Sequence, residues 1–182
     1  MDLGLSEIQQ MLKTSAQDFL SRECPLTLVR EMEEDSRGFT DELWRQMVGL
    51  GWTGVAFPEQ YGGTGGNFAD LGVLLEEIGR SLAPSPFFST VVLGGMTVLD
   101  AGSDAQKDEL ISRICAGTII MTMAVSEDSV AYEPWGIEAT ANQKGGGYEI
   151  SGTKLSVPDA EASDVVIVAA RTLSSSDPAD GI

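Results

Sequence analysis

Residues 107–125, KDELISRICAGTIIMTMAV, contain the change of period that decides the fold. Before Gly117 the apolar residues Leu110, Ile111 and Ile114 fall three and four positions apart, the spacing of one helix face. Gly117 is a natural stop for that helix. The run TIIMTMAV (118–125) is short, apolar and rich in β-branched residues, and it reads as a strand.

Upstream of the junction the spacing stays helical. Ser103 to Gln106 is a capping box that opens the helix ending at Gly117. Gly102 closes a preceding helix through Phe87, Phe88, Val91, Val92, Met96 and Leu99, which carries few charges and is expected to be buried on most sides. A helix from Phe68 to Leu82 runs through Leu71, Leu74, Leu75 and Ile78. Its adjacent Glu76 and Glu77 are expected to point away from each other, which speaks against a catalytic carboxylate pair. Thr40 caps a helix carrying Leu43, Trp44, Met47 and Val48, with Phe39 stapled onto Trp44 and Gly51 following. Leu5, Ile8, Leu12 and Phe19 share one face of the first helix, which is expected to end near Glu23, before Pro25. The acidic residues Glu31, Glu33, Glu34 and Asp35 read as a solvated face. The glycine-dense loop EQYGGTGG (59–66) lacks the dinucleotide fingerprint, because Phe68 stands in the sixth place after Gly63 and Gly65. It reads as a structural turn.

Downstream, GIEATANQ (136–143) and GYEISGTKLSV (147–157) are strand-like and separated by a glycine turn, and DVVIVAAR (164–171) is the most strand-like stretch of all. The fold class is therefore α+β: an all-α amino-terminal helical bundle over residues 1–117, followed by a partial antiparallel β-domain over residues 118–182. Four strands rarely close a sandwich or barrel, so the β portion is expected to be cut short.

Composition narrows the chemistry. In 182 residues, 28 acidic side chains against 11 basic ones give a net charge of -17, which opposes binding to nucleic acid or to an anionic membrane. The chain has no histidine, which excludes imidazole catalysis and histidine-metal sites within it. Its two cysteines, Cys24 and Cys115, fit neither a zinc site nor a disulfide scaffold and are expected to be buried and reduced. No run is long and apolar enough for a membrane span, and the start lacks signal-peptide features, so the expected location is cytoplasmic.

The ordered motifs LWRQMVGLGWTGVAFPEQYGGTGG (43–66), LGVLLEEIGRSLAPSPFFST (71–90) and GSDAQKDELISRICAGTIIMTMAVSE (102–127) resemble the amino-terminal helical domain of the acyl-CoA dehydrogenase family and its entry into the β-domain. GYEISGTKLSVPDAEASDVVIVAART (147–172) resembles that family's next two strands. The family's carboxy-terminal helical domain has no counterpart in this sequence. The resemblance implies FAD as cofactor and an acyl-CoA thioester as substrate, in fatty-acid β-oxidation or related acyl or steroid side-chain catabolism. In the family a carboxylate takes the α-proton while a hydride leaves the β-carbon for the flavin, with hydrogen bonds stabilising the developing enolate. That base lies in the carboxy-terminal domain, so no catalytic residue is assigned here and the chain alone is expected to be inactive.

The resemblance also implies cofactor contacts at Val125, Ser126, Ser156 and Pro158 and a substrate contact at Tyr132. Ser126 keeps the hydroxyl that the family places against the flavin ring, and Glu127 matches the family as well. Asp128 stands where the family has proline, and Tyr132 replaces a serine on the path of the CoA arm. In Gly152-Thr153-Lys154-Leu155-Ser156-Val157-Pro158-Asp159, Ser156 stands where the family carries an aromatic ring, and Pro158 where it carries a hydroxyl. Pro158 offers neither a hydroxyl nor an N–H. Two readings follow: a flavin-dependent acyl-CoA dehydrogenase, or a non-catalytic subunit in a heteromeric enzyme that has lost its own flavin contacts. Either implies a homo- or hetero-oligomer with another such subunit.

Overall fold

The computed structural model describes residues 4–128, 134–172 and 180–182. The chain begins with α1 (Glu7–Glu23), whose N-terminus is closed by a capping box between Ser6 and Gln9. Then come α2 (Leu26–Met32), α3 (Asp41–Gly49) and α4 (Phe68–Arg80). Thr40 accepts from the Leu43 N–H at the start of α3, and Asn67 forms a capping box with Asp70 at the start of α4. Gln9 Nε2 donates to Asp70 Oδ1 at 2.9 Å, so the caps of α1 and α4 are tied together and the two helices pack side by side.

A π-helical stretch, Phe88–Met96, leads directly into α5 (Thr97–Ala101). The next helix starts as α6 (Asp104–Gln106), passes through a π-helical stretch at Lys107–Ile111 and finishes as α7 (Ser112–Cys115). Gly117, at φ +65°, ends it as expected. The Gly117 N–H reaches Ile114 O and the Thr118 N–H reaches Arg113 O, the paired bonds of a Schellman motif. Among the described residues no strand precedes β1 (Met121–Ala124), so the period switch at Gly117 is also the structural boundary.

One core joins the helices to β1. Leu20, Met47, Phe57, Leu71, Leu74, Phe87, Val91, Ile111, Ile114 and Met121 are fully buried in it. Phe19 meets Trp52 edge-on at 5.2 Å, a geometry worth about 0.5–1.5 kcal/mol beyond the buried area. The first half of the stripe expected on α1 stays outside the core: Ile8 is 75% exposed and Leu5 is exposed too. Ile8 stands at a groove that Leu12, Leu50 and Trp52 also line, rather than against a packed neighbour.

The strands depart from a purely antiparallel arrangement. β2 (Thr140–Lys144) and β3 (Gly147–Ser151) form the expected antiparallel hairpin. β4 (Val165–Val168), however, lies parallel to β1, pairing Met121 with Val165 and Ala124 with Val168. Just beyond β4, Arg171 bridges to Thr140 of β2, again in parallel. The hairpin lies between β1 and β4 in sequence and serves as the crossover that a parallel pair requires.

The two adjacent carboxylates of α4 also differ from expectation. Glu76 and Glu77 share the same two cations: Lys13 lies 2.9 Å from Glu76 and 3.5 Å from Glu77, and Arg80 lies 2.9 and 3.3 Å from them. Glu77 is buried, because α1 lies over it, and periodicity within α4 alone does not report that neighbour. It works as an interhelix tie. No helix of the described residues is long and apolar enough to cross a membrane.

Candidate functional site

The chain folds back on itself where β1 ends, and a cavity of about 380 Å³ opens there. One wall is Met123, Val125 and Ser126, on β1 and the residues after it. The opposite wall is Leu155, Ser156 and Pro158, from the loop between β3 and β4. Phe88 and Leu93 of the π-helical stretch close the third side. All four residues expected to touch a cofactor, Val125, Ser126, Ser156 and Pro158, are therefore in one cavity. Tyr132 lies outside the described residues.

Local bonds explain the shape of the Pro158 wall. Thr122 Oγ1 donates to Pro158 O at 2.7 Å, and Ser89 Oγ donates to Asp159 Oδ2 at 2.5 Å. Ser163 Oγ closes the turn by donating to Asp159 O at 2.8 Å. These bonds hold the turn against β1 and the π-helical stretch, at the cost of two left-handed residues, Ser156 at φ +51° and Asp159 at φ +49°. Aspartate tolerates that conformation better than serine does. Ser156→Gly is therefore expected to stabilise the protein by about 0.5–1 kcal/mol, the relief of strain less the entropy of glycine. Thermal melting should show a rise of about 1–4 °C. A fall would mean that the Ser156 side chain contributes more than its backbone strain takes away.

Behind the two walls lies a buried ion pair. Glu127 Oε1 accepts from Lys154 Nζ at 2.6 Å and from Ala139 N at 3.0 Å, while Oε2 accepts from Glu138 N at 2.9 Å. Desolvation pushes the Glu127 pKa up. The hydrogen bonds from Lys154, Ala139 and Glu138, with the lysine charge, outweigh it and hold the carboxyl below its ordinary value. Both thiols are free. Burial raises the pKa of Cys24 and pushes that of Cys115 to about 11, so neither thiol is poised as a nucleophile. Among the described residues no cluster of acidic, cysteine or histidine side chains could hold a metal ion.

The fit to a flavin is poor at two of the four positions. Ser126 puts a hydroxyl on the wall, as a ring contact requires. Ser156 has no ring to stack, and Pro158 faces the cavity with methylene groups and no donor. The aromatic ring that the cavity does have is Phe88, half exposed on the helical side. Sequence reasoning placed Phe88 in the core. No local signal separated it from Phe87, since adjacent residues on a helix can share one core, as Leu43 and Trp44 do. Phe87 is the buried one.

Residues 6–118 match the family model of the acyl-CoA dehydrogenase N-terminal domain. The short-chain-specific acyl-CoA dehydrogenase of Megasphaera elsdenii is 30% identical over 179 residues, which is 94% of this chain and 46% of that protein. Among solved structures, a variant of the Tcur3481-Tcur3483 steroid ACAD matches with a TM-score of 0.80 at 32% identity, over 91% of this chain and 45% of that one. The ChsE4-ChsE5 complex from Mycobacterium tuberculosis matches with a TM-score of 0.83 at 26% identity, over 94% and 46%. The chain thus spans just under half the length of these relatives. With the N-terminal domain matched from its first cap to the helix stop at Gly117, this chain belongs to the acyl-CoA dehydrogenase family of FAD-dependent oxidoreductases.

Proposed function

We propose that this chain is part of a subunit that works beside a flavin-bearing partner in a heteromeric acyl-CoA dehydrogenase and does not hold a flavin of its own. In this reading residues 1–117 are the subunit's amino-terminal helical domain and residues 118–182 the first part of its middle β-domain. The observation that carries the reading is the wall formed by Ser156 and Pro158: Ser156 brings no ring to stack on the cofactor, and Pro158 brings no donor. The likeness to the ChsE4-ChsE5 complex and to the Tcur3481-Tcur3483 steroid ACAD supports a partner of the same family. The substrate class is an acyl-CoA thioester, and a steroid-linked acyl-CoA is the first to test. This chain contributes cavity walls and an interface, and the proton-abstracting base lies elsewhere in the assembly. Ser126, which keeps its hydroxyl, favours the second reading, a flavoprotein in its own right.

Flavin stoichiometry separates the two. The full-length protein should purify without flavin when expressed alone, and with one flavin for each pair of unlike chains when co-expressed with a flavin-bearing subunit. Flavin on every copy of this chain would sink the proposal.

The same wall predicts a gain of function. A stacked ring adds about 0.5–1.5 kcal/mol, and a hydrogen bond to an otherwise unpaired buried acceptor about 1–3 kcal/mol. Position 156 is already left-handed with serine, so its backbone strain is the same with and without flavin and cancels in the affinity. Ser156→Trp alone is thus expected to raise flavin affinity about 2–10-fold, Pro158→Thr alone about 5–100-fold, and the two together about 10–1,000-fold. Quenching of flavin fluorescence on titration measures this. No gain in the double variant would mean that these two residues are not what bars the cofactor.

A further inference from the structure

Three stretches that lie 11 to 29 residues apart in the chain meet at one buried pair of charges. Glu127 takes hydrogen bonds from Glu138 N, Ala139 N and Lys154 Nζ. The same ammonium also donates to Val125 O at 3.0 Å. One residue away on each side, Leu155 N donates to Ser126 O at 2.9 Å. The two side chains are only 9% and 8% exposed. Neither lines the cavity, yet each adjoins a residue that does: Glu127 follows Val125 and Ser126, and Lys154 precedes Leu155 and Ser156.

A buried ion pair is weak evidence for stability, since the desolvation of two charges offsets much of their attraction. Its geometry is another matter. Lysine has three donors and the carboxylate has lone pairs on both oxygens, and here two of the donors and both oxygens have fixed protein partners. A single rigid link therefore runs from one cavity wall to the other.

We propose that Glu127 and Lys154 are the positioning pair of this cavity: together they set the separation between the Val125–Ser126 wall and the Leu155–Ser156 wall, and so the thickness of the group that fits between them. They act through the walls and touch no bound molecule. The inference rests on the geometry of the cavity and is independent of whether flavin enters it, so it can fail without the proposed function failing, and the reverse.

Hydrogen exchange of the full-length protein, resolved by peptide, tests it in Lys154→Met. Exchange in residues 124–127 and 153–157 should rise at least about tenfold beyond any rise seen in α4, because local opening is added to the shared loss of stability. Lys154→Arg, which keeps the charge and two or more donors, should recover most of the protection. As a control, Leu74→Ala should destabilise the core without this excess at the walls. A rise of equal size in the walls and in α4 would make the pair only a stabiliser and overturn the proposal, as would no rise at all. If Lys154→Met does not fold, Glu127→Asp keeps both charges and shortens the link by one methylene. The excess at the same two stretches is then expected, and its absence overturns the proposal equally.

Discussion

Gly63→Ala is expected to cost the protein about 3–5 kcal/mol and to lower its urea midpoint accordingly. A methyl group at position 63 would lie 2.0 Å from Phe57 O, 2.5 Å from Phe57 C and 2.9 Å from Gly54 O. All three are backbone atoms, so no side chain can rotate away to make room. Phe57 O is also the acceptor for Gly65 N at 2.9 Å, and Gly54 O the acceptor for Thr64 N at 3.0 Å. Moving the loop outward would break both bonds and draw Thr64 Oγ1 away from Val55 O. Phe57 itself is fully buried in the main core, so the strain would pass directly into it. Gly146→Ala serves as the comparison, because nothing lies within 4 Å of a methyl group there. It should change stability by no more than about 0.5 kcal/mol. If Gly63→Ala proved as mild, the loop would not be the packed turn described above, and a ligand-binding purpose for its glycines would have to be reopened.

That loop also shows what was legible in the sequence and what was not. The spacing of Gly63, Gly65 and Phe68 was enough to reject a dinucleotide cradle, and the packing confirms a structural turn. The caps at Ser103, Thr40 and Gly117 were legible for the same kind of reason: each depends on a residue and its neighbours within one helical turn. The parallel pairing of β1 with β4 was not, because pairing direction depends on how the intervening hairpin returns the chain, which no local pattern states. The burial of Glu77 was hidden likewise, since it comes from α1, more than sixty residues away. At the cavity, Ser126, Ser156 and Pro158 were reached through resemblance alone, and the fold brings them together. Lys154 and Phe88 were passed over because each makes sense only once the other wall is in place.

Glu127→Gln is expected to destabilise the protein by about 3–5 kcal/mol at neutral pH, the range for breaking a buried ion pair from one side. The amide would set an NH2 group against a backbone N–H, of Ala139 or of Glu138, and would leave the Lys154 ammonium buried without a counter-charge. The pH dependence distinguishes this cause from simple loss of packing. In the folded protein desolvation pushes the Glu127 carboxyl up, but the hydrogen bonds from Lys154, Ala139 and Glu138 hold it below the ordinary glutamate range. A carboxylate depressed in this way contributes stability that is fully present above its unfolded pKa and is lost as pH falls through its folded pKa. The gap between the wild-type protein and Glu127→Gln should therefore be widest above about pH 5 and should narrow steadily below about pH 4. Asp128 and Glu138 border the same small cleft, but both proteins carry them, so the difference between the two removes most of what they add. Urea unfolding of both proteins from about pH 3.5 to about pH 7 measures the gap. A gap that does not change with pH would place the loss in packing rather than charge, and a gap that widens in acid would reverse the sign of the argument and show that Glu127 is protonated in the folded state.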